Sequence, residues 1–211
     1  MRNSRRLMSV LLIVLLSVMN LFAQNVQLSE RSAIGINLGM YSGSKASNIS
    51  AINGMKTEVM ASGFSGGVFF QYWLQEDLAL KLNAGMLTGN AKVSVNIANV
   101  SEQASSVMPI TLGLNYYLLS IIKNDAVRPY FTAAVGMYVG NEAKNSILSQ
   151  QVHSENAFGG KAGAGVDFIL GNHFILGANA GYNLMSNFEN PVGGNKNYNG
   201  AEFLFQFEYV F

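Results

Sequence analysis

The strongest constraint on this chain is a period-two alternation of apolar and polar residues that recurs in eight short segments after Gln24. Alternate side chains of an extended strand point to opposite faces, so the pattern reads as strands with two unlike surfaces. A membrane-crossing helix would need roughly 20 consecutive apolar residues, and no run beyond Gln24 approaches that. The segments are Ala33 to Tyr41, Ser62 to Trp73, Leu78 to Thr88, Val107 to Leu118, Arg128 to Val139, Phe158 to Leu170, His173 to Met185, and Gly200 to Phe211. Each is close to the roughly 9 to 11 residues with which a tilted strand crosses a bilayer. An even number of such strands can close antiparallel into a barrel with no open edge.

In most segments one parity is free of charge: Ile34, Ile36, Leu38 and Met40; Leu78, Leu80, Leu82, Ala84 and Met86; Phe203, Phe205, Phe207, Tyr209 and Phe211. The opposite parity is small or polar, as in Gly35, Asn37 and Gly39, or Gly177, Asn179, Gly181 and Asn183. Two segments leave their facing open: Phe69 and Trp73 oppose Phe64, Val68 and Phe70, while Tyr130 and Tyr138 oppose Phe131, Val135 and Met137. A soluble ligand-carrying barrel would turn its apolar parity inward and cover the other with Lys, Glu and Asp. Charged residues make up only 12% of this chain, against roughly 25% in ordinary soluble domains. Gly and Asn suit the narrow interior of an eight-stranded barrel better than a water-facing exterior. The expected fold is all-β, an eight-stranded antiparallel up-and-down transmembrane β-barrel spanning residues 24–211.

The connections support this independently. Leu74 to Asp77, Leu119 to Val127 and Gly171-Asn172 are shorter than Ser42 to Ala61, Gly89 to Ser106, Gly140 to Ala157 and Ser186 to Asn199, with which they alternate. Short turns on one side and long polar loops on the outer side are the pattern of membrane barrels, and eight strands then leave both mature termini in the periplasm. Aromatic residues fall near both ends of the strands: Tyr72, Trp73, Tyr116, Tyr117, Tyr130 and Tyr209 by the short turns; Tyr41, Phe64, Tyr138, Phe158 and Tyr182 by the long loops. They are expected to form two interfacial girdles. Ahead of the barrel, Arg2, Arg5 and Arg6 precede the apolar stretch Leu7 to Leu16, and Leu21-Phe22-Ala23 precedes a polar change, which reads as a signal peptide over 1–23 cleaved between Ala23 and Gln24. Leu21 is larger than usual there, and a retained helical anchor is the alternative. Cysteine is absent, which excludes disulfides, thiolate metal sites and a lipid-bearing Cys, and the net charge of +1 offers nothing to nucleic acid.

The segments Met108-Pro109-Ile110-Thr111-Leu112-Gly113-Leu114-Asn115-Tyr116-Tyr117 and Arg128-Pro129-Tyr130-Phe131-Thr132-Ala133-Ala134-Val135-Gly136, with the ending Phe207-Glu208-Tyr209-Val210-Phe211, resemble the small bacterial outer-membrane β-barrel family. That broad, porin-like group includes barrels of the OmpA and OmpX type. The resemblance covers essentially the whole mature chain and implies a cell outer-membrane location, with lipid, lipopolysaccharide and the export and barrel-insertion machinery as partners. It also implies that Phe207, Tyr209 and Phe211 form the insertion signal, although Gln206 stands where Gly is frequent and Leu204 where a polar residue is common. No residue follows Phe211 in this sequence, so the peptidoglycan-binding domain of full OmpA-like proteins is not expected.

Lys81, Lys161, Asp167, Glu202 and Glu208 share the lumen parity. Charges in so narrow a space must pair or stay hydrated, and they read either as an ion-paired plug or as a gated path for ions or water. The run His153-Ser154-Glu155 has the residue types of a lipid hydrolase, but consecutive residues of an extended segment diverge, and His173 lies at the opposite end of the barrel. No metal or cofactor constellation is read, and Asn48-Ile49-Ser50 and Asn99-Val100-Ser101 match glycosylation acceptors without meaning in a bacterial outer membrane. Beyond Gly89 the alternation continues with exchanged polarity, Lys92, Ser94 and Asn96 against Val93, Val95 and Ile97, so the second hairpin is expected to project into water; a mobile loop is the alternative. The expected function is a structural or surface-interaction barrel, not an enzyme, with a possible extracellular partner at the long loops. A narrow channel is the alternative, and a lipid-modifying enzyme stands third.

Overall fold

The computed structural model describes residues 26–45, 60–88, 92–96, 99–122, 126–146 and 149–211. The proposed signal segment with its Ala23–Gln24 junction and the motif at Asn48 lie outside the described residues. Among the described residues nine strands follow one another: β1 (Ser32–Lys45), β2 (Met60–Gln75), β3 (Leu78–Thr88), β4 (Lys92–Asn96), β5 (Asn99–Tyr117), β6 (Val127–Ser146), β7 (Ser149–Leu170), β8 (Phe174–Met185) and β9 (Gly200–Val210). Each pairs antiparallel with its neighbours, β1 pairs with both β2 and β9, and β3 pairs with β5. Because β4 prolongs β3 against the same partner, the nine strands make eight staves of a closed barrel, as the alternation predicts. The seam is fastened at its end by reciprocal bonds between Ser32 and Phe211, at 3.2 and 2.8 Å.

The two parities separate as expected. Met40, Val135, Phe158 and Phe205 stand 76%, 70%, 74% and 62% exposed in a continuous apolar band around the outside, while their strand neighbours point inward. The two undecided segments resolve the same way: Phe69, Trp73, Tyr130 and Tyr138 are buried in the lumen, and Phe64, Val68, Phe70, Phe131 and Val135 face out. Lumen glycines make room for these rings. A Cβ on Gly165 would strike the hydroxyl end of the Tyr130 ring, so glycine lets that ring approach β7 closely. At the β7–β8 turn Gly171 adopts φ +68°, a left-handed conformation that side chains disfavour.

Three strands run well past the segments read from hydropathy. The β6–β7 ladder continues from Val127↔Phe168 to Ser146↔Ser149, so most of the expected loop from Gly140 to Ala157 is paired strand. β5 carries the extension sideways, pairing Glu102 to Ser106 with Asn145 to Asn141 of β6 and Asn99 to Gln103 with Asn96 to Lys92 of β4. Hydropathy misses these ends for a physical reason. Beyond the apolar band neither face is buried in lipid, so backbone pairing persists while the side-chain alternation that advertises it fades.

Candidate functional site

The lumen is built in three layers. At the short-turn end the segment ahead of β1 folds across the mouth, and Val26 and Leu28 pack against Trp73, Tyr117, Tyr130 and Ile175. The Trp73 and Tyr117 rings stack at 6.5 Å. Polar groups lock this layer: one Glu76 oxygen accepts the backbone N–H groups of Leu28 and Ser29 at 2.8 and 2.7 Å. The other accepts the Arg128 guanidinium at 3.0 Å, and Arg128 also donates to the Val26 carbonyl at 2.8 Å.

The middle layer holds the charges in two groups. In one, Asp167 accepts from the Tyr117 hydroxyl at 2.8 Å and from the Gln206 amide at 2.9 Å, and Gln206 accepts from Lys81 Nζ at 2.8 Å. Lys81 also lies 3.6 Å over the Phe69 ring, a cation–π contact. Gln71 donates to the Tyr117 hydroxyl and accepts from Asn115, both at 2.9 Å, extending the network across β2 and β5. Glu208 is wholly buried beside this group, and neither carboxylate oxygen has a hydrogen-bond partner among the described residues. In the other group Glu202 accepts from Lys161, Ser65 and Asn183, while Asn183 also accepts from the Tyr138 hydroxyl at 3.2 Å. A polar cavity of about 60 Å³ lies between the groups, lined by Lys81, Asn83, Thr111, Lys161, Glu202 and Gln206 among others. That is room for several waters.

The long-loop end is closed by the connection between β8 and β9. Phe188, Val192 and Tyr198 turn inward and are buried against Tyr41, Leu87, Val107 and Tyr138. Gly193 N–H donates to Glu142 at 2.7 Å, the Tyr41 hydroxyl donates to the Asn199 carbonyl at 3.1 Å, and Asn190 donates to Glu155 at 2.7 Å. The Asn190 bond, with a smaller part from His153, holds the Glu155 carboxyl below its ordinary value. Two carboxylates on the β6–β7 extension thus grip this connection, and the polar cavity sits between two apolar layers.

This geometry corrects the expected girdles. Trp73, Tyr117 and Tyr130 at one end, and Tyr41 and Tyr138 at the other, point into the lumen and form its closing layers; Tyr116, Tyr209, Phe64, Phe158 and Tyr182 do stand on the outer face. The hydrolase arrangement is likewise not assembled. His153 Nε2 lies 2.7 Å from Glu155, but the Ser154 hydroxyl turns the other way and donates to Asn141 at 2.7 Å. His173 clips the end of the barrel, with Nδ1 3.0 Å from the Val210 carbonyl and its ring stacked on Tyr209 at 5.7 Å.

A family model described as an outer membrane protein β-barrel domain matches residues 8–211. The chain belongs to the outer-membrane β-barrel family. Among solved structures, this barrel is similar to Ail, the attachment invasion locus protein of Yersinia pestis, at 15% identity over 87% of this chain and 99% of that one, with a TM-score of 0.51. Ail in complex with the heparin analogue sucrose octasulfate aligns at 16% identity over the same shares, with a TM-score of 0.53. Neisserial surface protein A aligns at 16% identity over 85% of this chain and 97% of that one, with a TM-score of 0.56. At such identities the likeness speaks to the fold. No curated protein matches the sequence.

For an outer-membrane barrel, parity alone located Lys81, Lys161, Asp167, Glu202 and Glu208 on the lumen side, but not their division into two groups. It missed Arg128 and Glu76, which pair directly and also hold the backbone of Val26, Leu28 and Ser29. Phe188, Val192 and Tyr198 also escaped notice; their aliphatic and aromatic character in a loop otherwise rich in Asn and Gly was the available signal.

Proposed function

We propose that this outer-membrane barrel is a surface-interaction protein with a structural, side-chain-filled lumen, and that its work is done by the sheet that β4, β5, β6 and β7 build above the apolar band. In this reading the short turns and both mature termini face the periplasm, residues 1–23 are removed after Ala23, and Phe207, Tyr209 and Phe211 serve as the insertion signal. The observation that carries it is the β6–β7 ladder, which stays paired to Ser146↔Ser149 although β8 stops pairing with β7 at Gly159↔Met185. From Ser149 to Ala157, β7 therefore presents an outer edge with no backbone partner among the described residues. Such an edge binds an extended polypeptide by strand addition.

A polyanion of the kind seen on Ail is not favoured here. The four long connections carry five lysines (45, 56, 92, 144, 196) and five glutamates (58, 102, 142, 155, 189), leaving no cationic excess. The test is binding of intact cells to immobilised protein surfaces. Cells displaying the full barrel should bind, and cells displaying a variant with residues 143–152 replaced by a two-residue turn should not, at equal amounts of heat-modifiable barrel. Equal binding by both would remove the sheet from the function. The second reading, a narrow channel, draws on the polar cavity and the Lys161–Glu202 pair, and requires both apolar layers to open.

A further inference from the structure

The turns at the short-turn end differ in character. The β2–β3 turn presents Gln75, Glu76 and Asp77, and the β7–β8 turn presents Gly171, Asn172 and His173. The turn after β5 instead exposes Leu119 by 37%, Ile121 by 67% and Ile122 by 36%. Its backbone is shaped as a turn, with Ile121 N–H donating to the Leu118 carbonyl at 3.2 Å and Leu118 N–H to the Pro129 carbonyl at 2.8 Å. Single exposed aliphatic residues are ordinary on a protein surface, but three within four positions of one short connection are not.

These residues adjoin the apolar band directly. Along β5 the outward side chains run from Met108 to Tyr116, and Tyr116 is half exposed. Eight residue steps of about 3.4 Å, tilted by about 40°, give a height of roughly 21 Å, against roughly 25 Å for the apolar band of such barrels. The hydrocarbon therefore reaches past Tyr116 to where the turn begins. Leu74, exposed at the end of β2 two staves away, extends the band in the same direction. On the β8–β9 side the outward apolar side chains run to Phe174, Tyr209 and Phe211, beside the exposed polar turn at Asn172.

We propose that Leu119, Ile121 and Ile122, after β5, form a lipid-inserted anchor that continues the apolar band into the leaflet bordering the short turns. The occupant is phospholipid acyl chain and not a protein, because among the described residues no charged side chain separates the patch from the lipid-facing surface of β5. This rests on membership of the membrane family and is independent of the surface-interaction proposal.

The chain has no cysteine, so single-cysteine labelling needs no background removal. Ile121→Cys, Leu112→Cys and Asn172→Cys would each carry a nitroxide, in full-length mature barrel folded into phosphatidylcholine–phosphatidylethanolamine vesicles and checked by heat-modifiable migration. Collision rates with oxygen, which partitions into lipid, and with an aqueous nickel chelate would then be compared. The oxygen-to-nickel ratio at Ile121 is expected within about twofold of that at Leu112 and several-fold above that at Asn172, because an inserted apolar side chain shares the acyl-chain environment. A ratio nearer to that at Asn172 would place the turn in water and overturn the proposal.

Discussion

At the scale of single residues, the lumen charges other than Glu208 are held by matched donors and acceptors, so that each depends on one or two others. Removing one member of a buried ion pair strands its partner, at a cost of about 3 kcal/mol or more. Lys161→Met should therefore lower the urea midpoint of the folded barrel in vesicles, because Glu202 keeps only Ser65 and Asn183. Adding Glu202→Leu should recover most of the loss, and an unchanged midpoint in the single variant would show that the pair does not stabilise the barrel. Gly165→Val tests packing in place of charge. Its side chain would displace the Tyr130 ring and with it the bond from Gln206 at 2.7 Å, so the heat-modifiable fraction after refolding should fall. Period-two reading located these residues because parity is a local property of a strand. Their partners were not legible, since Lys81 meets Gln206 and Ser65 meets Glu202 only after register and closure have set which staves face one another.

At the scale of elements, the strands divide into a part written in hydropathy and a part held by pairing alone. The lipid-crossing segments were legible almost to the residue, as in Leu78–Thr88, because one face must be apolar along its whole length. The extensions of β6 and β7 were not, because in water either face may be polar and only the ladder distinguishes strand from loop. Amide hydrogen exchange should find residues 141–145 protected on the same slow scale as the upper part of the crossing strand; exchange at the rate of an open loop would refute the extension. The connection between β8 and β9 carries a pH dependence. Glu155 has its folded value lowered, so its contribution is present above the ordinary glutamate value of 4.5 and is lost as pH falls through the lower folded value. Exchange protection around Asn190 should accordingly hold between pH 7 and 5 and decline in more acidic solution. Glu155→Gln should start from the weaker state and show a flatter profile.

At the scale of the whole molecule, the sequence specified a barrel far more completely than its interior or its work. Eight alternating segments and one-sided connections determine closure, and closure places an apolar band against lipid. Whether the lumen conducts depends on residues 26–31 and on Phe188, Val192 and Tyr198, which lie outside the strands and follow no period. Both groups fold inward, leaving the charged layer between apolar closures and turning the chain's outward-facing possibilities toward its projecting sheet. That the barrel is closed and acts at its surface is the proposed function. It is tested most directly by inserting the purified mature protein into planar lipid bilayers and recording current in concentrated potassium chloride across a range of voltages. A closed barrel gives a baseline without discrete steps from preparations that are fully heat-modifiable; regular, voltage-independent conductance steps from the same preparations would show an open lumen.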